Sequence, residues 1–408
     1  MTQYKITVDQ EILQNLFSGN DEALTRLLEQ ILNQILEAQR TEQLQADRYQ
    51  RNEERQGSRN GYKPRQMTTR VGRLNLRIPQ IREGKFSTDL FKRYQRSEQA
   101  LVLSLMEMVI NGVSTRKVAK ITEELCGTEF SASTVSNLCK DLDPIIESWN
   151  NRPLNEKKYP FLLVDAMIIK IREGGKLRPH SALIATGINE EGHREILGMQ
   201  IGNSETEQSW ADLFCWLKER GLRGVDFIVS DDHRGLVKAI QTHFQGTIWQ
   251  RCQTHFTRNI LDKCPKGYQK DLLSKFQSIF RAPDRRTAEL ILRETIDNFE
   301  TTAPKAMEVL EEGFEDATAI MILPPKFRKR LRTTNSVERS IAEIRRRERV
   351  IRIFPNQASA ERLIGALLLE QHEEWATGRL YLKMDEYWEW KNQQEEQSSR
   401  EKVVRLKE

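Results

Sequence analysis

The sequence predicts an α/β core, built on a mixed five-stranded sheet, that lies between helical segments. Residues 159–252 hold three apolar runs separated by short turns, then two shorter apolar runs that each follow a helical pattern. Strands joined by tight turns pair antiparallel, whereas strands joined through a helix pair parallel, so this order predicts a sheet of both kinds. Helical periodicity before and after this region adds α-helical segments on both sides of the core.

Length and composition limit the class of protein. A chain of 408 residues is long enough for roughly two to three domains. No apolar run approaches the roughly 20 residues that span a bilayer, and residues 1–5 begin no apolar signal segment, so we expect neither a membrane protein nor a secreted one. Five scattered cysteines, an odd number, favour a reducing cytoplasm over a disulfide framework.

Positive charge is concentrated in three places. Residues 1–50 carry four Lys/Arg and eight Asp/Glu, a net charge of −4, whereas residues 51–100 carry thirteen and five, a net charge of +8. Further basic clusters occur at residues 326–332 and 345–352. A single basic cluster is ordinarily a solvated surface, but three of them together predict a polyanionic partner.

Residues 20–50 are predicted to form one amphipathic helix, which Asn20 or Asp21 would begin. Its leucines and isoleucines recur at helical spacing between Leu24 and Leu36 and form a narrow seam. The seam could pack on the core of its own chain or on the same helix of a second subunit. The pattern favours neither arrangement.

A basic region follows this helix. Residues 50–66 are polar and arginine-rich, and we expect an extended arm that contains Arg59. Across residues 67–81 apolar side chains alternate around Gly72, which predicts a small hairpin. Arginines on an exposed ribbon suit contact with phosphates. Those of the hairpin are Arg70, Arg73, Arg77 and Arg82.

Residues 98–148 are predicted to be helical and include a candidate helix-turn-helix. Ser114 can cap one helix and Ser131 the next, and Cys126-Gly127-Thr128 supplies the break between them. Short polar side chains on the second helix can enter a major groove and reach base edges. Those expected to face outwards are Ser133, Thr134, Ser136, Asn137 and Lys140.

Asp165 stands in the middle of the first apolar strand, residues 161–171. A buried lone carboxylate is strongly unfavourable unless it is paired or binds a metal ion, so we expect Asp165 at a functional site. Asp231 and Asp232 follow the strand at residues 227–229, at the edge of the sheet where ligands bind. They point in opposite directions, so only one of them would join Asp165.

A third carboxylate is expected because two bind Mg²⁺ weakly. Glu338 and Glu343 both stand on the predicted helix at residues 335–352. Five residues apart, they cannot share one helix face. Spacing alone does not choose between them.

Cys252 and His255 form a Cys-x-x-His pair, and His243 and Cys264 would complete four zinc-type ligands. The spacing is not that of a standard zinc finger, so we do not expect zinc there. The preferred interpretation is a structural role or a contact with DNA near the site.

These residues, in this order, resemble bacterial insertion-sequence transposases of the Mutator-like superfamily, over roughly residues 20–385. The predicted order of strands and helices is also that of the ribonuclease H-like fold. No single motif decides the resemblance, but their order and spacing together are specific. The motifs are Ser58-Arg59-Asn60-Gly61-Tyr62, Leu163-Val164-Asp165-Ala166, Ser230-Asp231-Asp232-His233-Arg234-Gly235-Leu236, Trp249-Gln250-Arg251-Cys252-Gln253-Thr254-His255-Phe256, Thr333-Thr334-Asn335-Ser336-Val337-Glu338-Arg339, and Arg345-Arg346-Arg347 leading to Ile353-Phe354-Pro355-Asn356.

The resemblance implies a DDE catalytic triad, Asp165, Asp231 and Glu338, on a ribonuclease H-like core. It selects Asp231 rather than Asp232, and it selects Glu338 rather than Glu343. The same three residues would hold two divalent cations, Mg²⁺ or Mn²⁺, for nicking at a transposon end and joining the freed 3′-hydroxyl to another phosphodiester. Arginines expected to hold the DNA backbone near the metal ions are Arg339, Arg345, Arg346 and Arg347.

The implied protein is a bacterial cytoplasmic enzyme, nucleoid-associated when bound, that acts on double-stranded DNA at transposon ends and target sites. A homodimer is expected because two ends must meet. The alternatives are a catalytically inactive DNA-binding regulator and a ribonuclease H-like nuclease without strand transfer. The expected segments are 1–50, an amphipathic and possible dimerisation helix; 51–150, DNA binding; 151–264, the first part of the core; 265–330, an all-helical insertion; 331–385, the C-terminal core helices; and 386–408, a charged, frayed tail.

Overall fold

The computed structural model describes residues 5–17, 21–50, 53–82, 84–88, 90–91, 97–126 and 130–405. The chain forms two compact units, Met1–Asp141 and Leu142–Glu408. None of the described helices is long and apolar enough to cross a membrane.

The first unit begins with a helical pair and a β-hairpin. Leu36 is fully buried against Met67, Leu74 and Leu76, so the apolar face of the second helix covers one face of the hairpin. Gly72 has a φ of 119°, which permits the tight turn between the strands. The elements are α1 (Gln10–Phe17), α2 (Asp21–Leu44), β1 (Arg59–Thr69) and β2 (Gly72–Ile81), with the two strands antiparallel.

Part of the α2 seam packs within its own chain, which is one of the two arrangements that the sequence left open. Leu28 and Leu32 pack against the same core as Leu36, inside their own chain. Asp21 begins the helix, and Asn20 lies outside the described residues. The leucine seam therefore contributes to the fold of the first unit.

The extended arm expected at residues 50–66 is wrong in part, because β1 starts at Arg59 and takes up residues 59–66. Residues 60–64 are exposed on both sides of this ribbon, so they lack the alternation of apolar and polar residues that marks a half-buried strand. Backbone pairing with β2, for instance Arg65 with Leu76, defines the strand instead.

Three helices complete the described part of the first unit, namely α3 (Gln99–Ile110), α4 (Thr115–Cys126) and α5 (Ala132–Leu138). Val118 of α4 and Val135 of α5 are fully buried, and the two helices pack together. Ser131 caps α5 by accepting a hydrogen bond of 3.1 Å from the backbone N–H of Thr134. The break expected between the helices falls on Gly127 and Thr128, which lie outside the described residues.

The second unit contains the mixed five-stranded sheet that the sequence predicts. The strand order is β5-β4-β3-β6-β7, in which β3, β4 and β5 pair antiparallel while β6 and β7 run parallel to β3. This arrangement is compatible with a ribonuclease H-like core. The strands are β3 (Phe161–Glu173), β4 (Lys176–Ile188), β5 (Arg194–Gly202), β6 (Phe227–Ser230) and β7 (Ile248–Arg251).

The two faces of the sheet have different partners. Val164 lies in the core cluster with Trp210 and Phe214 of α7 (Glu207–Glu219) and with Leu236 of α8 (Arg234–His243). Alternate side chains of a strand point to opposite faces, so Phe161, Leu163 and Asp165 lie on the other face. Asp165 therefore faces away from α7 and α8.

The chain between β7 and residue 331 is helical, and residues 265–330 contain no strand. Phe256, Leu272 and Phe314 are buried at the centre of a separate apolar core formed by these helices. The helices are α6 (Asp143–Asn150), which precedes the sheet, and then α9 (Gln253–Lys263), α10 (Gln269–Phe280), α11 (Arg285–Phe299), α12 (Pro304–Thr318) and α13 (Pro325–Leu331).

Helix α6 belongs to the second unit, whose boundary falls at residue 141 rather than at the expected residue 150. Arg362 binds Asp143 of α6 through two parallel hydrogen bonds of 2.6 and 2.7 Å. This bidentate pair fixes α6 to α15 (Gln357–Thr377), which follows α14 (Asn335–Ile351). The functions assigned to the finer segments stay predictions.

The expected frayed tail is instead helical, since α16 spans Asp385–Arg405. Tyr387 is fully buried, its ring 4.9 Å from that of Phe161, and its hydroxyl donates to Asp226. Lys391 also donates to Asp226, at 2.7 Å. Because this segment is highly charged, its sequence did not predict a packed helix. The aromatic residues of its first two turns hold the helix on the sheet.

Candidate active site

Asp165 lies in the central strand β3 and is 9% exposed. Its side chain accepts a hydrogen bond of 2.8 Å from the backbone N–H of Ala166. The odd-numbered face on which it lies is apolar up to this point, with Phe161 and Leu163 buried before it. The same face is buried and apolar again from Met167 onwards, so the carboxylate interrupts an apolar row and requires compensation from neighbouring groups.

Strand register brings Asp231 next to Asp165. In the parallel pair of β3 and β6, Leu163 is the partner of Val229. Asp165 and Asp231 each stand two residues further on, so they emerge at the same edge of neighbouring strands. This edge, at the carboxyl ends of parallel strands, is where α/β sheets bind ligands.

Glu338 lies in the first turn of α14 and reaches the same edge of the sheet. The Thr334 hydroxyl lies 3.3 Å from its Oε1 atom, and Nε2 of His255 lies 3.7 Å from the same oxygen. Helix α14 packs on β3, the strand of Asp165. Contacts from α9 and from the residue before α14 therefore hold the carboxylate at the sheet edge.

The charges of these groups act on one another. Burial raises the pKa of Asp165 to about 7, and the negative charges of Asp231 and Glu338 add to the rise. The Ala166 N–H and the charge of His255 oppose it. Three carboxylates therefore share a site that lacks enough positive charge. Carboxylate oxygens are the ligands that Mg²⁺ and Mn²⁺ prefer, so the donor set fits a divalent cation.

The two rival carboxylates have other partners. Asp232 forms an ion pair of 2.9 Å with Arg251, whose side chain is 10% exposed. Glu343 is ion-paired with Arg346 at 2.7 Å and with Arg347 at 2.9 Å. The structure thus brings Asp231 and Glu338, rather than their rivals, to Asp165.

Cys252 and His255 adjoin Glu338. The buried Cys252 sulfur accepts hydrogen bonds of 3.4 Å from both the N–H and the hydroxyl of Thr334. Burial alone would raise the pKa of Cys252, but hydrogen bonds from His255 and Thr334 outweigh it and lower that pKa. The hydrogen bond with Cys252 raises the pKa of His255 to about 9, despite burial.

One metal-binding group can be drawn from these side chains, since ligand atoms of Cys252, His255 and Glu338 lie within 4.8 Å of one another. The four-ligand set considered from the sequence is not assembled. His243 contacts Cys215 at 3.7 Å instead, and the Cys264 sulfur bonds to the carbonyl of Pro265 at 3.5 Å.

Sequence reasoning missed Glu205 and Thr334. Burial raises the pKa of Glu205, and the charge of Asp231 contributes while that of His233 opposes it. Glu205 therefore places a fourth carboxylate near the site. It stands in a polar loop before α7, so only a tertiary contact could reveal it, and Thr334 was noted only as part of a motif.

The candidate DNA contacts differ in availability. Arg59 is ion-paired with Glu37 and donates to Thr41 at 2.8 Å, and Arg70 is ion-paired with Glu98 at 2.8 Å. Arg346 and Arg347 are paired with Glu343, as described. The candidates whose side chains are exposed are Arg70, Arg73, Arg77, Arg82, Ser133, Thr134, Ser136, Asn137, Lys140, Arg339, Arg345 and Arg346.

The chain is similar to several bacterial transposases. It is 45% identical to the transposase for insertion sequence element IS256 in transposon Tn4001 of Staphylococcus aureus, over 94% of this chain and all of the relative. It is 40% identical to the transposase for ISRM5 of Rhizobium meliloti, over 93% and 95% of the two chains. It is 35% identical to the transposase for IS1081 of Mycobacterium tuberculosis, over 94% and 93%.

Among solved structures, the chain is similar to the Mos1 transposase paired-end complex with left transposon end, at 11% identity. The likeness covers 39% of this chain and 60% of that chain with a TM-score of 0.14, which is too low to compare the folds.

The family model described as Transposase, Mutator family, matches residues 1–378. With that match and relatives of this identity and coverage, the chain belongs to the Mutator family of transposases, enzymes that cleave and join DNA.

Proposed function

We propose that this chain is the transposase of an insertion sequence and that it cleaves and joins DNA strands through Asp165, Asp231 and Glu338. The observation that carries the proposal is that β3, β6 and α14 bring Asp165, Asp231 and Glu338 to one edge of the sheet. Its substrate is double-stranded DNA, first at the terminal inverted repeats of the element and then at a target site. The bacterial cytoplasm, at the nucleoid, is the proposed location.

Two Mg²⁺ or Mn²⁺ ions bound by the triad would supply activation of the attacking oxygen and stabilisation of the leaving 3′-oxygen. The chain's own residues define where that chemistry occurs. Asp165 lies within β3 and Asp231 directly follows β6, so the register of these two strands brings both residues to the same edge of the sheet. Glu338 completes the set from α14.

Thr334 and His255 orient Glu338. The hydrogen bond with Cys252 and the charges of Asp165 and Glu338 raise the pKa of His255, which favours positive charge beside the carboxylates. Cleavage at the end of the element leaves a 3′-hydroxyl, which displaces a 3′-oxygen at another phosphodiester in the joining step. Both steps use the same carboxylates.

The first unit is the proposed reader of the element's ends. Helices α4 and α5 serve as the helix-turn-helix, with Asn137 and Lys140 exposed on and just beyond the second helix. Arg73 and Arg77 lie on the hairpin that precedes these helices in the sequence, and their side chains suit contact with phosphates. Ser133 and Thr134 also share the capping hydroxyl of Ser131, at 2.8 Å each, which limits their freedom to reach bases.

A homodimer is proposed because two ends must be held together for joining. Leu28, Leu32 and Leu36 of the α2 seam pack within their own chain, whereas Leu24 is exposed, so at most part of the seam is open to a second subunit. The helical region of residues 265–330 is proposed as an insertion in the catalytic core, since it separates Asp231 from Glu338 along the chain and has its own apolar core.

The test uses DNA from the borders of the element that encodes the protein. Wild-type protein and Asp165→Asn are each incubated with Mg²⁺, Mn²⁺ or EDTA, and 3′-hydroxyl ends and joined products are mapped. We expect metal-dependent nicking and joining at one defined end, absent in the variant, while end binding by the variant shows that it is folded. Binding without cleavage would indicate a regulator, and cutting without joining would indicate a nuclease. Equal cleavage by the variant would refute the triad.

A further inference from the structure

A basic cavity of about 650 Å³ lies in the second unit, beside the candidate active site. Its wall includes Gln253 and Thr254 of α9, which stand next to Cys252 and His255. It also includes the first turn of α14, where Arg339 directly follows Glu338. The cavity and the surroundings of the Glu338 carboxylate are therefore built from the same two helices, α9 and α14.

Positive charge dominates this cavity. All of its lining residues are described, and none of them is acidic. Burial lowers the pKa of the Arg194 guanidinium, Tyr381 opposes this, and the charges of Arg330 and Arg339 lower the pKa further, so these three cationic groups lie close together. Glu374, outside the lining, acts on Arg194 in the opposite sense. The cationic residues of the lining are Arg194, Arg281, Lys329, Arg330, Arg332 and Arg339.

Two of the arginines are held in place by aromatic rings. The guanidinium carbon of Arg194 lies 4.0 Å from the ring centre of Trp375 and 4.3 Å from that of Tyr381. That of Arg330 lies 4.7 Å from the centre of the Tyr381 ring, whose hydroxyl donates to the Arg330 carbonyl at 3.1 Å. Across the described part of the chain, no carboxylate is within ion-pair distance of Arg194, Arg330 or Arg339. Stacking therefore fixes the planes of Arg194 and Arg330 while leaving their N–H groups available to a ligand.

A second, independent feature points to a ligand. Ser336 lines the cavity and is 7% exposed, and its hydroxyl has no hydrogen-bond partner among the described residues. A buried hydroxyl without a partner is unfavourable unless something else satisfies it. Ser336 lies in the first turn of the 17-residue helix α14, where backbone N–H groups favour an anion.

We propose that this cavity binds one backbone phosphate of the DNA strand, next to the bond that is cut. Arg330 and Arg194 donate hydrogen bonds to the phosphate oxygens. Arg339 adds positive charge, and the Ser336 hydroxyl donates a hydrogen bond to the same phosphate. The ligand is a phosphodiester rather than a base, because six cationic side chains line the cavity and arginines cover the ring of Tyr381. The inference rests on the proposed function. By holding this phosphate, the cavity would determine which phosphodiester of the strand reaches Asp165.

The test measures binding of a labelled duplex carrying the inverted repeat that flanks the gene, in EDTA so that no strand is cut, over a series of salt concentrations. Wild-type protein is compared with Arg330→Ala and Ser336→Ala. The matched control is Arg293→Ala, an exposed arginine of α11 outside the cavity. Thermal unfolding of each variant is recorded alongside, and we expect Ser336→Ala to unfold like the wild type because it removes an unpaired hydroxyl.

For Arg330→Ala we expect the slope of log K against log salt to become shallower by about one unit, since one phosphate contact is lost. For Ser336→Ala we expect roughly threefold to tenfold weaker binding with the wild-type slope, because no charge is removed. The control keeps the wild-type affinity and slope. If both cavity variants also keep the wild-type affinity and slope, the inference is wrong.

A scan of single methylphosphonate substitutions identifies the phosphate. One position should weaken binding by the wild type and leave Arg330→Ala unaffected, and absence of any such position would overturn the assignment. Metal-dependent cleavage of the same duplex by the wild type separates the two proposals. If the wild type cleaves and the cavity variants bind normally, only the cavity inference fails. If the variants behave as expected and the wild type never cleaves, only the catalytic proposal fails.

Discussion

The Nε2 atom of His255 lies 3.7 Å from the Oε1 atom of Glu338, across the gap between two helices. His255 stands in the first turn of α9, and Glu338 stands in the first turn of α14. Thr334 completes the link, since its N–H and hydroxyl both reach the Cys252 sulfur and its hydroxyl also reaches Glu338. The Cys-x-x-His pair is therefore a support for the third carboxylate.

Thr334→Val should reduce the rate of DNA cleavage roughly tenfold at saturating DNA, because a carboxylate that is misplaced even slightly lowers the rate. The affinity for DNA should stay at the wild-type value, since the hydroxyl faces Cys252 and Glu338 rather than solvent. Single-turnover cleavage together with equilibrium binding separates the two effects. Thr334→Ser keeps the hydroxyl and should restore the rate. Equal slowing by both variants would contradict a positioning role.

Asp231→Asn and Asp232→Asn should have opposite effects. The first should abolish metal-dependent cleavage and leave stability nearly unchanged, because Asp231 faces the other carboxylates. The second should retain cleavage but lower the free energy of unfolding by roughly 1–3 kcal/mol, because it weakens the ion pair with the buried Arg251. Cleavage assays and urea unfolding on both variants check this pair. Loss of cleavage in Asp232→Asn alone would reverse the assignment of the two residues.

His372 should make the second unit less stable in mild acid. Burial lowers the pKa of His372 to about 4, and the charge of Arg152 contributes. The ordinary histidine pKa is about 6.5, so between about pH 6.5 and 4 the unfolded chain binds more protons and stability falls as the pH falls. Urea unfolding at pH 7 and pH 5 should show a smaller loss for His372→Gln than for the wild type. An identical loss in both proteins would show that His372 does not titrate in this way.

Tyr387→Ala should lower the free energy of unfolding by about 3–5 kcal/mol, as for other buried aromatic residues. Tyr387→Phe should cost only about 1–2 kcal/mol, because Asp226 keeps its ion pair with Lys391. Glu389→Ala, an exposed position on the same helix, is the control and should unfold like the wild type. Thermal or urea unfolding provides the comparison. If Tyr387→Ala matched the control, α16 would not be part of the folded unit.

Much of the second unit could be predicted from local pattern. The strands around Asp165 are long apolar runs closed by turns, and the order of helices and strands defines which pairs are parallel. The positions of Asp165 and Asp231 follow from that register. Their catalytic role, like that of Glu338, stays a prediction, although the charges of Asp231 and Glu338 both act on Asp165.

The remaining features depend on contacts between residues distant in sequence. Strand β1 is polar because its first half is exposed on both sides, so its sequence carried no alternating pattern. The leucine seam of α2 has the same spacing whether its partner is a hairpin or another subunit. Glu205 stands in a polar loop and approaches Asp231 only through folding. Helix α16 is held by Tyr387 and Lys391 on Asp226, and Tyr387 stands 161 residues from Asp226 in the sequence.

The separation of Glu338 from the sheet has a consequence for the newly made protein. Asp165 and Asp231 belong to neighbouring strands that can pair as soon as both have left the ribosome, whereas Glu338 follows only after α9 to α13 have been synthesised. A nascent or prematurely terminated chain thus carries two of the three carboxylates and lacks the third. Under the proposed role of the three carboxylates, such a chain would not cut DNA until α14 had been made and had packed on β3.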